Sequence, residues 1–271
     1  ASALVVYGLA AGLTEGSNFL SRPNENWFLI WIPLSLITAI SISLRQEAPR
    51  SRTLSRSQLN ELLQTARIIE EDGHGVKVAE LTDGNYLKLF RRKRMVSSAL
   101  WSPPSRRFAD NAKQLQSLGV AAPLIDCFVR VPAAKLDGII YRPLPGDTLR
   151  NRWRSLGDEE REEDIRQFGT FLGQLHQLGV YFRSLHLGNV LMQPNGRLAL
   201  IDVADMTIAQ HALSPWKRRR NLTHMLRYSE DSHWLTVQHI SALASGYADQ
   251  CGQPAARKLE QRLRTISHSA S

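Results

Sequence analysis

Two short apolar runs, Val190–Met192 and Leu198–Ile201, stand on either side of Pro194, Asn195 and Gly196. A turn of that composition between two such runs makes a β-hairpin. A hairpin fixes where its flanking polar residues go. Asn189 immediately precedes the first run and Asp202 immediately follows the second, so the two ends bring an amide oxygen beside a carboxylate. Those are hard oxygen ligands of the kind Mg²⁺ takes, in a shell it shares with substrate phosphates. The rest of the chain has to fold around that pairing.

Upstream, residues 53–141 read as sheet-forming. Ser55–Leu63 has the cap and apolar spacing of a short helix. Arg67–Glu70, Val76–Leu81 and Tyr86–Phe90 read as an antiparallel meander, with Gly73 and Gly75 in its first turn and Asp83 and Gly84 in its second. Glycines in that first turn let backbone N–H groups approach phosphates closely; the same pair also suits an ordinary hairpin. Lys88 stands in the third strand between Leu87 and Leu89, facing either solvent or a site. After Pro103 and Pro104, Arg106–Leu118 reads as a helix closed by Gly119. Leu124–Val131 and Leu136–Tyr141 read as two more strands.

Downstream, Asp158–Leu178 is an amphipathic helix, acidic at its start, with Phe168, Phe171, Leu172, Leu175 and Leu178 as its apolar stripe. His176, beside that stripe, reads as a hydrogen-bonded structural histidine. Beyond Asp205 the chain reads as largely helical. Its basic run Lys217–Arg220 is either a solvated face or a site for phosphate groups paired to guanidinium.

The hydrophobic fraction of 43% is that of a globular core. Cys127 and Cys251 have no metal-ligand spacing and read as reduced thiols. The net charge of +9 admits nucleic acid, anionic lipid or phosphorylated substrates. The basic runs lack interleaved aromatics or a recognisable module, so no nucleic-acid partner is expected.

Phe182-Arg183-Ser184, then Asn189, then Asp202-Val203-Ala204 resembles the kinase order H-R-D-x-x-x-x-N, strand, turn and the metal-binding Asp of D-F-G. With Leu185–Gly188 between them, the stretch most resembles the bacterial lipopolysaccharide core kinases, the Kdo/heptose kinase group that includes "toluene tolerance" proteins. The resemblance implies an α+β, bilobal protein-kinase-like fold, with an N-lobe over residues 50–141 and a C-lobe over 142–271. It implies ATP and Mg as cofactors, with Asn189 and Asp202 on the metal and Lys88 on the α/β-phosphates. Gly73 and Gly75 would then cover phosphates, and the backbone around Tyr141, ahead of the hinge-like Arg142–Leu149, would meet the adenine edge. Arg183, Ser184 and His186 would stand at the reacting end, with lipopolysaccharide or its core sugar as substrate.

Two positions depart from the pattern. Ser184 occupies the slot of the catalytic Asp, and Asn111, beside Asp110, occupies the slot of the helix Glu that pairs with the strand Lys. A general base is worth roughly 10²–10⁴-fold, while positioning and charge neutralisation dominate phosphoryl transfer. A kinase without that Asp is therefore slowed but keeps its nucleotide and metal. His186 and Asp205 are left as alternative proton acceptors.

Trp27–Leu44 holds 18 residues without a charge, roughly 27 Å of helix and close to a bilayer core. Trp27 and Trp31 suit an interfacial belt, and Arg45, Arg50, Arg52 and Arg56 follow against Glu47. The expectation is a membrane tail over residues 1–46 that precedes the kinase-like fold with a transmembrane helix at 27–44 and a truncated apolar segment before it. By the positive-inside rule it sits in the inner membrane, with the kinase-like domain on the cytoplasmic side. The alternative is a buried hairpin of a soluble protein. Arg91–Arg94 reads as a solvated loop or a contact to anionic lipid. Residues 14–27 also resemble the last loop of bacterial O-antigen ligases. Three functions follow: a core-sugar kinase, a pseudokinase with a binding or regulatory role in envelope assembly, or a fragment carrying a ligase tail.

Overall fold

The computed structural model describes residues 35–36, 49–91 and 103–268. The chain divides into two compact units, Ala1–Arg50 and Ser51–Ser271. Among the described residues no helix is long and apolar enough to cross a membrane. The span expected at 27–44 lies outside them apart from Ser35 and Leu36, as do Ala1–Thr14 and positions 92–94 of the basic run.

The fold is mixed α+β, with a multi-stranded sheet and a helical half, consistent with a kinase-like architecture. A six-stranded sheet runs in the order β1-β5-β6-β4-β3-β2. The meander read from the sequence is β2 (Arg67–Asp72), β3 (Gly75–Glu80) and β4 (Tyr86–Arg91). Strand β6 (Leu136–Arg142) inserts antiparallel between β4 and β5 (Leu124–Val131). At the far edge lies β1 (Arg50–Thr53). Its arginines, taken in the sequence as flank of a membrane span, belong to a strand whose continuation bonds Leu54 N–H to the Arg130 carbonyl at 2.8 Å.

The period of two assigns each side chain to a face. Leu87, Leu89, Cys127, Val129 and Ile140 join Leu59 of α1 (Arg56–Gln64) in one apolar cluster. Ser55 and Gln58 form a capping box that starts α1. On the opposite face, Tyr86 lies opposite Tyr141 and Lys88 opposite Ile139, facing Phe108 of α2 (Pro104–Ser117), whose ring is 5.5 Å from that of Tyr141. Lys88 is therefore the polar member of a buried face, its side chain only 13% exposed.

The second half begins with β7 (Asp147–Thr148), α3 (Leu149–Ser155) and α4 (Asp158–Gln177). Phe168, Phe171, Leu172 and Leu175 of α4 are buried as the stripe predicts, each worth about 1.5–3 kcal/mol of burial. Next come β8 (Val180–Phe182), β9 (Val190–Met192), β10 (Leu198–Leu200) and β11 (Met206–Ile208), then α5 (Pro215–Met225), α6 (Ser229–His233), α7 (Ile240–Cys251) and α8 (Gln253–His268). Helix α4 packs along α7. His176 is buried, with Nδ1 2.8 Å from the Tyr247 hydroxyl, in the structural role read for it. Strands β8 and β11 were not foreseen. They pair antiparallel, Phe182 opposite Met206, and this pairing builds half of the site.

Candidate active site at the hairpin ends

The expected hairpin is present, with Met192 opposite Leu198 and Val190 opposite Leu200. The ladder runs one step further, Ile201 donating its N–H to the Asn189 carbonyl at 3.0 Å. The residues on either side of that last bond are the two proposed ligands. Asn189 is buried, and its Nδ2 donates to the Ser184 carbonyl at 2.9 Å. That bond settles which way the amide faces: Oδ1 is the free end and accepts no hydrogen bond among the described residues. Asp202 adopts the left-handed conformation, φ 55° and ψ 44°, which a non-glycine residue holds only where its surroundings demand it. The turn aims its carboxylate across at the sheet, where Oδ1 lies 2.8 Å from Lys88 Nζ.

Lys88, Asp202 and Asn189 are thus brought together from three segments. Among the described residues, no three His, Cys, Asp or Glu side chains are grouped to hold a metal. The available donor set is one amide oxygen and one half-exposed carboxylate. It fits a hard cation that completes its shell with phosphate oxygens and water.

The loop before Asn189 is held from both sides. Because β8 pairs with β11, Arg183 falls opposite Asp205: Arg183 N–H donates to the Asp205 carbonyl at 3.1 Å. Their side chains also pair, Nη1 to Oδ1 at 3.6 Å. Ser184 Oγ donates to the other carboxylate oxygen of Asp205 at 3.1 Å. Further on, His186 Nδ1 accepts the Gly188 N–H at 3.0 Å, and its ring meets Tyr228 edge-on at 5.0 Å. Burial, and after it the charge of Arg150, hold the imidazole below its usual pKa. Asp231 anchors the far side. It is fully buried, paired through two 2.8 Å bonds with Arg150, and accepts the Leu187 N–H at 3.1 Å.

Gly73 and Gly75 form the tip of the β2–β3 hairpin; Asp72 there accepts the His74 N–H at 2.9 Å and an Arg91 N–H at 3.2 Å. Gly75, at φ +113°, needs the freedom glycine has. The Tyr141 ring is wedged between Tyr86 and Phe108. Burial first, then the negative charge of Asp202, push its hydroxyl pKa far up. A pocket of about 390 Å³, lined by Gly146, Arg152, Asp164, Met192 and Pro194, lies instead at the turn end of the hairpin, away from Asp202.

Neither Asn111 nor its neighbour Asp110 takes the part of the helix Glu that pairs with the strand Lys. Asp110 is exposed, and Lys88 takes Asp202. Asn111 Nδ2 instead donates to the Val203 carbonyl at 2.7 Å and to that of Met206 at 3.2 Å, tying α2 to the turn after Asp202. This clamp and the Arg150–Asp231 pair were not read from the sequence. Asp205 was named there with His186 as an alternative proton acceptor, but its place beside Ser184 becomes legible only once Met206–Ile208 is known to be a strand.

Comparison with known proteins finds two likenesses. A 50-residue segment, 18% of the chain, is 60% identical to an O-antigen ligase of Pseudomonas aeruginosa. The chain spans only 12% of that relative's length; the likeness is the one expected of the N-terminal tail. Residues 72–247, which hold Lys88, the loop, the hairpin and most of the helical half, match the model of another family. The chain belongs to the lipopolysaccharide kinase (Kdo/WaaP) family.

Proposed function

We propose that this chain is an ATP-dependent phosphotransferase that phosphorylates a sugar hydroxyl of the lipopolysaccharide core. The observation that carries the reading is the 2.8 Å pair between Lys88 of the sheet and Asp202 at the hairpin end, set beside the free Oδ1 of Asn189. In this reading residues 50–141 and 142–271 act as two lobes with the nucleotide between them. Lys88 neutralises the α/β-phosphates, and Asn189 and Asp202 hold Mg²⁺, which when bound neutralises charge on the phosphates. Backbone around Tyr141 meets the adenine, and the Gly73–Gly75 tip covers phosphates. Arg183, Ser184 and His186 line the acceptor side, with α5 offering Lys217, Arg219 and Arg220 to phosphate groups of the glycolipid. The membrane tail would place this chemistry at the cytoplasmic face of the inner membrane.

Ser184 in the slot of a carboxylate favours a second reading, a pseudokinase that binds nucleotide without transferring it. Label from γ-labelled ATP separates the two. Transfer to lipopolysaccharide core by the wild type, abolished by Asp202→Asn, supports the kinase. Mg-ATP binding that Asp202→Asn weakens, with no label transferred, supports the pseudokinase. Absence of both binding and transfer sinks the nucleotide reading altogether.

A further inference from the structure

We infer that Asp205 is the catalytic base, its carboxylate reaching from the end of the turn that follows Asp202 the place that the loop residue Ser184 leaves without one. The inference rests on the kinase reading above and deepens it.

Three side chains stand near the reacting end with a lone pair to offer: Ser184, His186 and Asp205. Their hydrogen bonds separate them. His186 Nδ1 is spent on the Gly188 N–H at 3.0 Å, so the neutral ring carries its proton on Nε2. Neither ring nitrogen then has a free lone pair. Arg150, 3.4 Å from Nδ1 and able only to donate, opposes a second proton. Ser184 already gives its proton to Asp205 Oδ2, and an alkyl hydroxyl does not keep a second one. Asp205 remains. Its side chain is 46% exposed, so the acceptor can reach it. Arg183 Nη1 at 3.6 Å from Oδ1 and Ser184 Oγ at 3.1 Å from Oδ2 fix the direction in which it faces.

The fold explains how a residue so far along the chain arrives there. The β8–β11 register puts Arg183 opposite Asp205, and the turn Val203–Asp205 doubles the chain back immediately after Asp202. Metal-side and base-side carboxylates therefore come from the residue just before a three-residue turn and from its last residue, the turn being clamped by Asn111 through Val203 and Met206. Ser184 becomes the positioning residue, orienting both the carboxylate and the acceptor hydroxyl.

The step balances without a further reactant. The acceptor oxygen forms a bond to the γ-phosphorus while the bond from that phosphorus to the β-bridging oxygen breaks, its electron pair leaving with ADP. The hydroxyl proton passes to Asp205 and from there to solvent. Asp205 is regenerated as a carboxylate.

The test uses the full chain, γ-labelled ATP and dephosphorylated lipopolysaccharide core oligosaccharide as the acceptor probe, with Mg-ATP affinity measured in parallel. Asp205→Asn keeps an acceptor for the Ser184 hydroxyl. It should lower kcat by roughly 10²–10⁴-fold, the usual worth of a general base, with Mg-ATP affinity within about twofold of wild type. The exchange variant Ser184→Asp/Asp205→Ser returns the carboxylate to the loop and should recover at least about tenfold over Asp205→Asn. It also guards against a single variant that does not fold. Wild-type turnover with Asp205→Asn equally fast overturns the assignment and leaves the kinase reading standing. So does a loss of Mg-ATP affinity that tracks the loss of rate, or an exchange variant no faster than Asp205→Asn. A wild type that binds Mg-ATP and transfers nothing overturns both.

Discussion

Asn111→Glu would restore the residue that kinases place on this helix, and the structure predicts that it harms the protein. In many kinases that glutamate pairs with the strand lysine. Here Lys88 is already held by Asp202 at 2.8 Å, and the Asn111 amide faces two carbonyl oxygens, those of Val203 and Met206. Asn111→Ala removes both hydrogen bonds. At about 0.5–1.5 kcal/mol each, the loss is roughly 1–3 kcal/mol, or about 2–12 °C in melting temperature for a domain of this size. Glutamate loses the same two bonds and points carboxylate oxygens at carbonyl oxygens, so it should be at least as destabilising as alanine. Urea denaturation gives the stability, and a titration with Mg-ATP reads the loop that carries Asp202. If Asn111→Glu matches or exceeds wild type in either measurement, Lys88 is free to turn to α2 and the reasoning fails.

His176 should make the fold acid-sensitive. Burial first, and the Arg218 charge second, push its pKa down to about 3 in the folded state, whereas unfolded it takes a proton near 6.5. Between those values the unfolded chain binds the extra proton, so this contribution is complete above about 6.5 and is lost progressively as pH falls toward 3. At pH 5 the loss is about 2 kcal/mol, and the unfolding free energies from urea titrations at pH 7.5 and 5 should converge by that amount in His176→Gln relative to wild type; equal acid sensitivity refutes it. Asp231→Ala strands Arg150 and the Leu187 N–H and should cost about 3–5 kcal/mol; a loss under about 1 kcal/mol would mean the loop is held elsewhere. Gly246→Ala drives a Cβ into the Arg166 carbonyl, where α4 and α7 touch. It should cost at least about 1–3 kcal/mol in urea unfolding, while Ser245→Ala, next to it and exposed, stays within about 0.5 kcal/mol.

What the sequence made legible follows from which forces are local. The β2–β3–β4 meander, the Ser55 cap, the α4 stripe and the Pro194–Gly196 turn each have their cause within a few residues, and each is found within two or three residues of its expected bounds. That Asn189 and Asp202 stand at one end of the hairpin was legible for the same reason, since a hairpin brings its own ends together. Strands β8 and β11 have three residues each and 23 residues between them (182 to 206). Their pairing is a tertiary event with no periodic trace in so short a run. The Arg183–Asp205 register depends on it and was consequently hidden, so Asp205, already named from the sequence as an alternative proton acceptor to His186, could not be placed beside Ser184. The Asn111 slot was found and its consequence was not, because an amide that bonds carbonyls 92 and 95 residues away leaves no mark on the local pattern.

The Lys88–Asp202 pair also bears on how the nucleotide would enter. In the proposed function both groups turn to Mg-ATP, Lys88 to the phosphates and Asp202 to the metal, and so part from each other. An arrangement in which the ligand must break an ion pair is costly when the pair is deeply buried. Here the two sides are unequal: the lysine is 13% exposed and the carboxylate 45%. A pair with one partner so open to water is worth about 1 kcal/mol or less, a small charge against the binding of a divalent cation with a triphosphate. The left-handed backbone at Asp202, held by Asn111 through the next turn, keeps the carboxylate at the hairpin end whether or not Lys88 holds it. The pair is therefore weak enough to open and close enough to keep both charges in place, so that separating them takes a rotation of side chains and leaves the fold as it is.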